Sequence, residues 1–393
     1  MLQFDEILKR KGTNCAKWDR QGGDFLPMWV ADMDFKAPGP LLEAVQKRLD
    51  QGVFGYPASS KEAEEAVVGH YERTYGVTVR LEWIVWIPSV MPGANLACRV
   101  GGGSILYSTP MYTHIRRLPE EARAEVTEVP MQEKDLFYTM DFNALERAVT
   151  SKTGVYVLCN PHNPVGRVFT RNELEHVADF AKRHGLLVVA DEIHCELVLE
   201  GEHIPYFSLN LEAEQNSITL CSAGKIANIP GLPLAYAIIP NADLRKRFDA
   251  EALGLFSVRN ILAETALTAV YNGSCDAWKK ELRDYLRENR DYLEKRIAAI
   301  PGLRAVHNEA TYLVWIDTRE TKIADPFTFF RNEAGVHLND GKTYGQDGFV
   351  RLNFGCPHSQ LKEALDRIEA AVAVAQRVNS NAVLRHLEEE SVK

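Results

Sequence analysis

Residues 155–190 read VYVLCNPHNPVGRVFTRNELEHVADFAKRHGLLVVA, and this stretch gives the clearest prediction of the fold class. Its first five and last five residues are apolar runs, which predict two short β-strands. Between them, Thr170 and Glu173 form a capping box that starts a helix, and Gly185 supplies the residue that ends it. The order of strand, helix and strand predicts a right-handed crossover within a parallel sheet.

Other apolar runs extend this pattern in both directions along the chain. Residues 104–107, 218–221 and 234–239 predict further strands, so we expect an α/β fold with a three-layer large domain and a mostly parallel sheet. A long amphipathic helix over 276–300 then leads to alternating strands that predict a smaller α+β domain. The predicted boundaries are 46–276 for the large domain, and 1–45 with 277–393 for the small one.

The composition of the chain disfavours several classes of function. The 393-residue chain is 46% hydrophobic and 25% charged, which is typical of a soluble globular protein, and its net charge of −9 disfavours binding to nucleic acid or anionic lipid. It has no apolar run long enough to span a bilayer and does not begin like a secretory signal. These features favour a small-molecule partner.

The seven cysteines are odd in number, scattered and never spaced as a CxxC pair. This pattern predicts free thiols in a reducing cytoplasm and no metal site.

Chemically distinctive residues follow the predicted strands. Lys225 comes shortly after the run 218–221, Asp191 directly after the run 186–190, and Asn163 lies in the turn after the first strand. Because open α/β sheets bind ligands at the carboxyl ends of their strands, we expect these side chains to share one crevice.

Each of these three residues suits a cofactor that carries an aldehyde on a pyridine ring. A partly desolvated lysine is a nucleophile toward the aldehyde, and a buried aspartate needs a cation such as a protonated ring nitrogen. The asparagine amide can donate to a phenolate oxygen. Taken singly, however, each has an ordinary alternative: a surface lysine, a helix cap and a plain turn.

Four motifs together carry a family resemblance: NPHNPVGR at 160–167, DEIH at 191–194, SAGK at 222–225 and RLNFGCP at 351–357. In order and spacing they resemble the fold-type I aminotransferase superfamily, whose cofactor is pyridoxal 5′-phosphate (PLP). The stretches LPMWVADMDF at 26–35 and VFGYP at 53–57 narrow the resemblance to C–S lyases of the MalY/PatB type. It extends from about residue 4 to about residue 375.

The resemblance implies a role for each matching residue. The implied catalytic residues are Lys225, which bonds to the cofactor's aldehyde, Asp191, which pairs with its ring nitrogen, and Tyr112, which stacks on its ring. Further implied cofactor contacts are Asn163 and His194 near the phenolic oxygen, Ser222 with the amides of Ser89, Val90 and Met91 at the phosphate, and Tyr56 at the phosphate of a neighbouring subunit. Implied substrate contacts are Arg351 at the α-carboxylate, Asp32 and Asn163. Tyr56 thereby implies a homodimer with shared active sites.

Three places depart from the family pattern: Pro233, the stretch 99–104, which is a few residues shorter than usual, and Ser89, which replaces a common glycine. Pro233 stands where many relatives have a lysine or arginine that helps to neutralise the phosphate. Phosphate binding is therefore expected to depend more on amides and hydroxyls.

The implied reaction is β-elimination from cystathionine or a related cysteine S-conjugate, which releases a thiol, pyruvate and ammonia. Transamination of an L-amino acid would use the same lysine, aspartate and arginine and stays open. An inactive cofactor-binding regulator is a further alternative. A nicotinamide dehydrogenase is disfavoured because Gly101–Gly103 lacks the GxGxxG spacing.

Overall fold

The structure is a computed structural model that describes residues 4–58, 61–256 and 259–391, with side chains through residue 377. The chain divides into two compact units. The sheet unit consists of Lys36–Asp284 with Glu309–Thr311, and the terminal unit consists of Met1–Phe35, Tyr285–Asn308 and Tyr312–Lys393.

The sheet unit is built on seven strands. Their spatial order is Ile84–Ile87, Ala235–Ile238, Ser217–Cys221, Leu187–Asp191, Thr153–Cys159, Ser104–Thr109 and Val126–Pro130. Ala235–Ile238 is antiparallel to both of its neighbours, while all the other neighbouring pairs are parallel. The expected α/β fold with a mostly parallel sheet is confirmed.

The crossover predicted from residues 155–190 is also confirmed. Its helix is Arg171–His184, where Thr170 accepts a hydrogen bond from the Glu173 amide and the Glu173 side chain bonds back to the cap. Gly185 ends the helix with a φ of 66°, a conformation that glycine adopts without a steric penalty. Leu174, Val177 and Phe180 are buried, so the helix covers the sheet with one apolar face.

Helices surround this sheet. Those of the sheet unit are Gly39–Asp50, Lys61–Tyr75, Val90–Gly101, Leu118–Ala122, Phe142–Ala148, Arg171–His184, Leu211–Gln215, Ala242–Ala252 and Ile261–Tyr271. Asp276–Ala298 begins in the sheet unit and ends in the terminal unit. A small hairpin, Gln132–Lys134 with Phe137–Thr139, completes the sheet unit.

The terminal unit is α+β. Its four-stranded antiparallel sheet has the order Arg304–Ala305, Leu313–Asp317, Phe349–Asn353 and Asn339–Asp340. Leu26–Pro27 pairs separately with Val336–His337. Further helices are Ala16–Asp19, Pro326–Asn332 and His358–Ser391. Among the described residues, no helix has the length and apolarity that a membrane crossing requires.

Candidate active site

Most of the predicted site residues follow strands of the large sheet at the edge where the parallel strands end. Ser89, Tyr112, Asn163, Asp191, Ser222 and Lys225 lie at or shortly after the ends of Ile84–Ile87, Ser104–Thr109, Thr153–Cys159, Leu187–Asp191 and Ser217–Cys221. The sheet therefore brings these residues to one edge, which is where α/β proteins bind ligands.

Asp191 is the buried acid at this edge. Its Oδ1 atom accepts a hydrogen bond from the Ile193 amide at 3.2 Å. Burial raises the pKa of the Asp191 carboxyl to about 6, although the amide and the charge of Lys225 oppose the rise. The surroundings thus compensate this carboxylate incompletely, and a cation placed beside it would stabilise its charged form.

Lys225 and Ser222 share the turn after the strand Ser217–Cys221. The Ser222 hydroxyl donates to the Leu234 carbonyl at 2.7 Å and accepts from the Gly224 amide at 3.1 Å. Lys225 is partly buried three residues later. These two hydrogen bonds of the Ser222 hydroxyl close the turn and so fix the backbone from which the Lys225 side chain extends.

The predicted helix start at Ser89, Val90 and Met91 is present, because Val90–Gly101 is helical. The Ser89 side chain makes no capping hydrogen bond to this helix in the part of the chain that the structure describes. A side chain at Gly93 would come within 2.3 Å of Ile87, so glycine lets the helix pack closely on its strand. Free amides at a helix start suit a phosphate dianion.

Asn163, His194 and Tyr112 line the same edge. Asn163 and His194 are buried, and Tyr112 is partly buried with its ring 5.2 Å from that of His114. The structure adds His162, a buried residue whose ring nitrogens contact the carbonyls of Pro110 and Cys159. Sequence reasoning treated this histidine only as part of a turn, although its place between two prolines in the NPHNP motif was a signal.

Arg351 lies in the terminal unit, on the strand Phe349–Asn353. Its Nη2 atom donates to the Trp29 carbonyl at 3.0 Å and to Asn339 Oδ1 at 2.8 Å. Its guanidinium lies 5.0 Å from the centroid of the Tyr344 ring. These contacts hold the planar group in a defined orientation, as a bidentate carboxylate ligand requires.

Asp32 belongs to a charged cluster of the terminal unit that also contains Arg10, Lys17 and Asp34. Asp32 Oδ2 lies 2.7 Å from Arg10 Nη2, and Asp32 Oδ1 lies 3.9 Å from Lys17 Nζ. Asp34 binds Lys17 Nζ at 2.6 Å and Trp18 Nε1 at 2.9 Å. These contacts support a structural role for Asp32, and its contact with substrate stays a prediction.

Asn353 is a further residue that the sequence did not single out. Its side-chain amide donates to the carbonyls of Val30 and Asp32, and its Oδ1 atom accepts from the Gly355 amide. Asn353 therefore holds the irregular segment 30–32 in place. No local pattern indicates these contacts, because Val30 and Asp32 each lie more than 300 positions from Asn353 in the sequence.

Tyr56 is exposed in this chain, with 93% of its surface accessible. It lines a cavity of about 760 Å³ in the sheet unit together with Pro233, Leu253 and Arg259.

Among the described residues, no group of three or more histidine, cysteine, aspartate or glutamate side chains is arranged to hold a metal ion.

Comparisons with known proteins agree with this architecture. The family model for aminotransferase class I and II matches residues 30–368. The chain is 34% identical over 389 residues to the cystathionine beta-lyase PatB of Bacillus subtilis, covering 95% of this chain and 100% of PatB. The crystal structure of OvoB matches with a TM-score of 0.90 and 39% identity, covering 94% and 98% of the two chains. The PLP-bound C-S lyase of Staphylococcus hominis matches with a TM-score of 0.87 and 29% identity, with the same coverage.

Proposed function

The chain belongs to the aminotransferase class I and II family, and we propose that it is a PLP-dependent C–S β-lyase. The proposed substrate is cystathionine or a related cysteine S-conjugate, and the proposed products are a thiol, pyruvate and ammonia. The similarity to PatB over nearly the whole chain supports this reaction.

The observation that carries the proposal is that a buried acid, Asp191, and a primary amine, Lys225, lie at the same edge of the sheet. Burial raises the pKa of the Asp191 carboxyl to about 6, and the charge of Lys225 acts on this carboxyl in the opposite direction. A cationic pyridine nitrogen beside Asp191 would offset the cost of its burial. The uncapped helix start at Ser89 provides amide donors for a phosphate. The Ser222 hydroxyl donates to the Leu234 carbonyl in this chain and would have to turn its hydrogen from that carbonyl to the phosphate. The donor set therefore fits PLP.

When bound, PLP supplies an electron sink that stabilises negative charge at the substrate's Cα. Lys225 would hold the cofactor through its amine, and the same amine would serve as the base that takes up the substrate's Cα proton. Asp191 would keep a proton on the ring nitrogen. Asn163 and His194 would lie near the phenolic oxygen, and Tyr112 would stack on the ring.

Other residues bind the two ends of the cofactor–substrate assembly. We propose that Ser222 and the amides of Ser89, Val90 and Met91 bind the phosphate, since Pro233 contributes no charge there. Arg351 binds the substrate's α-carboxylate, and its planar fork explains why lysine would be a poor replacement. By fixing the carboxylate, Arg351 selects which Cα bond is aligned for cleavage.

Incubation with cystathionine in the absence of any 2-oxo acid tests the function. We expect stoichiometric pyruvate, ammonia and thiol from the PLP-loaded wild-type protein, and none from Lys225→Ala. If pyruvate does not form, but added 2-oxo acid is converted to its amino acid, the protein is an aminotransferase. If neither reaction occurs although PLP binds, the regulator alternative is favoured.

We further propose a homodimer in which Tyr56 reaches the phosphate of the partner subunit. The exposure of Tyr56 beside a large cavity supports this, as does the exposure of Phe54, Leu253 and Leu255. Light scattering should give twice the chain mass of 44.2 kDa, and Tyr56→Phe should weaken PLP binding without dissociating the dimer. A monomer would contradict the proposal.

We also propose a cytoplasmic location. All seven cysteines lie among the described residues and are free thiols, which suits a reducing compartment.

A further inference from the structure

Two loops at the edge of the large sheet carry residues that the proposed function assigns to the cofactor. The first follows the strand Ser104–Thr109 and leads to Tyr112, and the second follows Thr153–Cys159 and contains Asn163. The paired residues of these two strands end at Tyr107 and Val157. Beyond this point the sheet ladder no longer fixes one loop against the other.

His162 makes a connection beyond the end of that ladder. Its Nε2 atom lies 2.8 Å from the Pro110 carbonyl oxygen of the first loop, two residues before Tyr112. Its Nδ1 atom lies 3.2 Å from the Cys159 carbonyl oxygen. Burial lowers the pKa of His162, which favours the neutral ring. The neutral ring has one proton to donate, and we place it on Nε2 because the contact with Pro110 is the shorter of the two.

The second loop is itself held firmly. The His162 amide donates to the Arg167 carbonyl at 2.8 Å, and the Gly166 amide donates to the His162 carbonyl at 2.7 Å. Asn160 Oδ1 accepts from the Phe169 amide at 3.1 Å. The backbone of His162 is therefore held in a hydrogen-bonded turn, and its Nε2 atom bonds to the loop that carries Tyr112.

We propose that His162 is a positioning residue that fixes Tyr112 and Asn163 relative to each other by joining the two loops that carry them. The loop connection rests on geometry alone, while its benefit to the cofactor rests on the proposed function. Because an unpaired buried carbonyl is costly, losing this bond should let the first loop move to satisfy Pro110 in another way.

A matched pair of substitutions tests this proposal. In His162→Gln the side-chain nitrogen takes the place of Nε2 and retains the bond to Pro110, whereas in His162→Asn it takes the place of Nδ1 and does not reach. Hydrogen exchange of the PLP-free protein should show faster exchange over residues 110–116 in His162→Asn, with His162→Gln close to wild type. PLP affinity should fall about tenfold in His162→Asn and be largely retained in His162→Gln.

His70→Asn is the control for general destabilisation. His70 is another buried histidine, hydrogen-bonded to Thr74 within the helix Lys61–Tyr75. Its substitution should lower the melting temperature without changing exchange over residues 110–116. Equal behaviour of His162→Asn and His162→Gln, or unchanged exchange in His162→Asn, would overturn the proposal. Since exchange is measured without PLP or substrate, a wild-type protein that releases no pyruvate would refute the lyase function and leave this loop connection standing.

Discussion

Asp191 and Asp34 are both buried aspartates, but their surroundings treat the negative charge in opposite ways. In the sheet unit, burial raises the pKa of Asp191 to about 6. In the terminal unit, burial would likewise raise the pKa of Asp34, but Lys17, Trp18 and Arg10 outweigh it and lower the pKa below its ordinary value. Asp34 is thus compensated within its own unit, whereas Asp191 is suited to a cation that comes from a ligand.

The comparison teaches that burial of an acid does not by itself mark a functional site. Lys17 lies 2.6 Å from Asp34, and Gln360 Nε2 donates to the same carboxylate at 3.0 Å. A carboxylate with such partners is compensated by them, and removing it is destabilising because it takes a counter-charge away from buried cations. An incompletely compensated carboxylate costs stability in the empty protein, and a function that needs the charge explains why it is retained.

The largest expected effect is on catalysis at Asp191. Asp191→Asn removes the charge that keeps the cofactor's ring nitrogen protonated, so kcat/KM for pyruvate release should fall by about 10³-fold. Steady-state kinetics with saturating PLP measures this. Asp34→Asn is the matched control, and it should change kcat/KM little as long as the protein remains folded. A comparable loss in both variants would remove the distinction between the two aspartates.

For the stability of the fold, we expect Asp34→Asn to be the more damaging of the two substitutions. Asp34→Asn leaves Asp32 as the carboxylate that Lys17 and Arg10 still share in this cluster, so the free energy of unfolding should fall by up to about 3 kcal/mol. Urea denaturation at pH 7.5 measures the loss. Because the pKa of Asp34 is lowered, its contribution is present at neutral pH and is lost only as the pH falls below the ordinary value of 3.8. A variant as stable as wild type at neutral pH would show that this cluster does not stabilise the unit.

In the PLP-free protein, substitution of Asp191 should raise the free energy of unfolding, whereas substitution of Asp34 lowers it. A rise in pKa from 3.8 to about 6 corresponds to a destabilisation of about 3 kcal/mol once the group is ionised. Asp191→Asn should therefore stabilise the empty protein at pH 8 by up to this amount. The gain should shrink as the pH falls from about 6 to about 4, because wild-type Asp191 then takes up its proton. Denaturation of both PLP-free proteins across this range tests the sign, and a variant less stable than wild type at pH 8 would reverse it.

These two aspartates also show how far sequence reasoning reaches. Asp191 was predicted because its surroundings are local: an apolar strand leads directly to it, and a capping box and a glycine stop define the helix that precedes that strand. The same local signals predicted the parallel sheet and the edge where Lys225, Ser222 and Asn163 lie. Family resemblance then supplied the proposed role of Tyr112.

The terminal unit could not be predicted at that level. Within the stretch at 26–35, nothing in the spacing distinguishes Asp32 from Asp34, and the resemblance pointed to Asp32. The structure shows Asp34 as the more buried of the two, bonded to Lys17 and to Gln360, 326 positions away. Asn353 is similarly distant from the segment it holds. Such contacts depend on how distant strands meet, and a single sequence does not record that.

The smallest expected effect separates stability from chemistry inside the sheet unit. Thr170→Ala removes the hydroxyl that caps the helix Arg171–His184, and it should cost about 1 kcal/mol of unfolding free energy. PLP affinity and kcat should not change, since Asp191 is fixed by the strand that follows this helix and not by the cap. Denaturation and kinetics on the same preparation measure both quantities. A lower kcat in Thr170→Ala would contradict this expectation, because it would show that loosening the strand before Asp191 is enough to impair catalysis. The loss of kcat in Asp191→Asn should therefore far exceed any loss in Thr170→Ala.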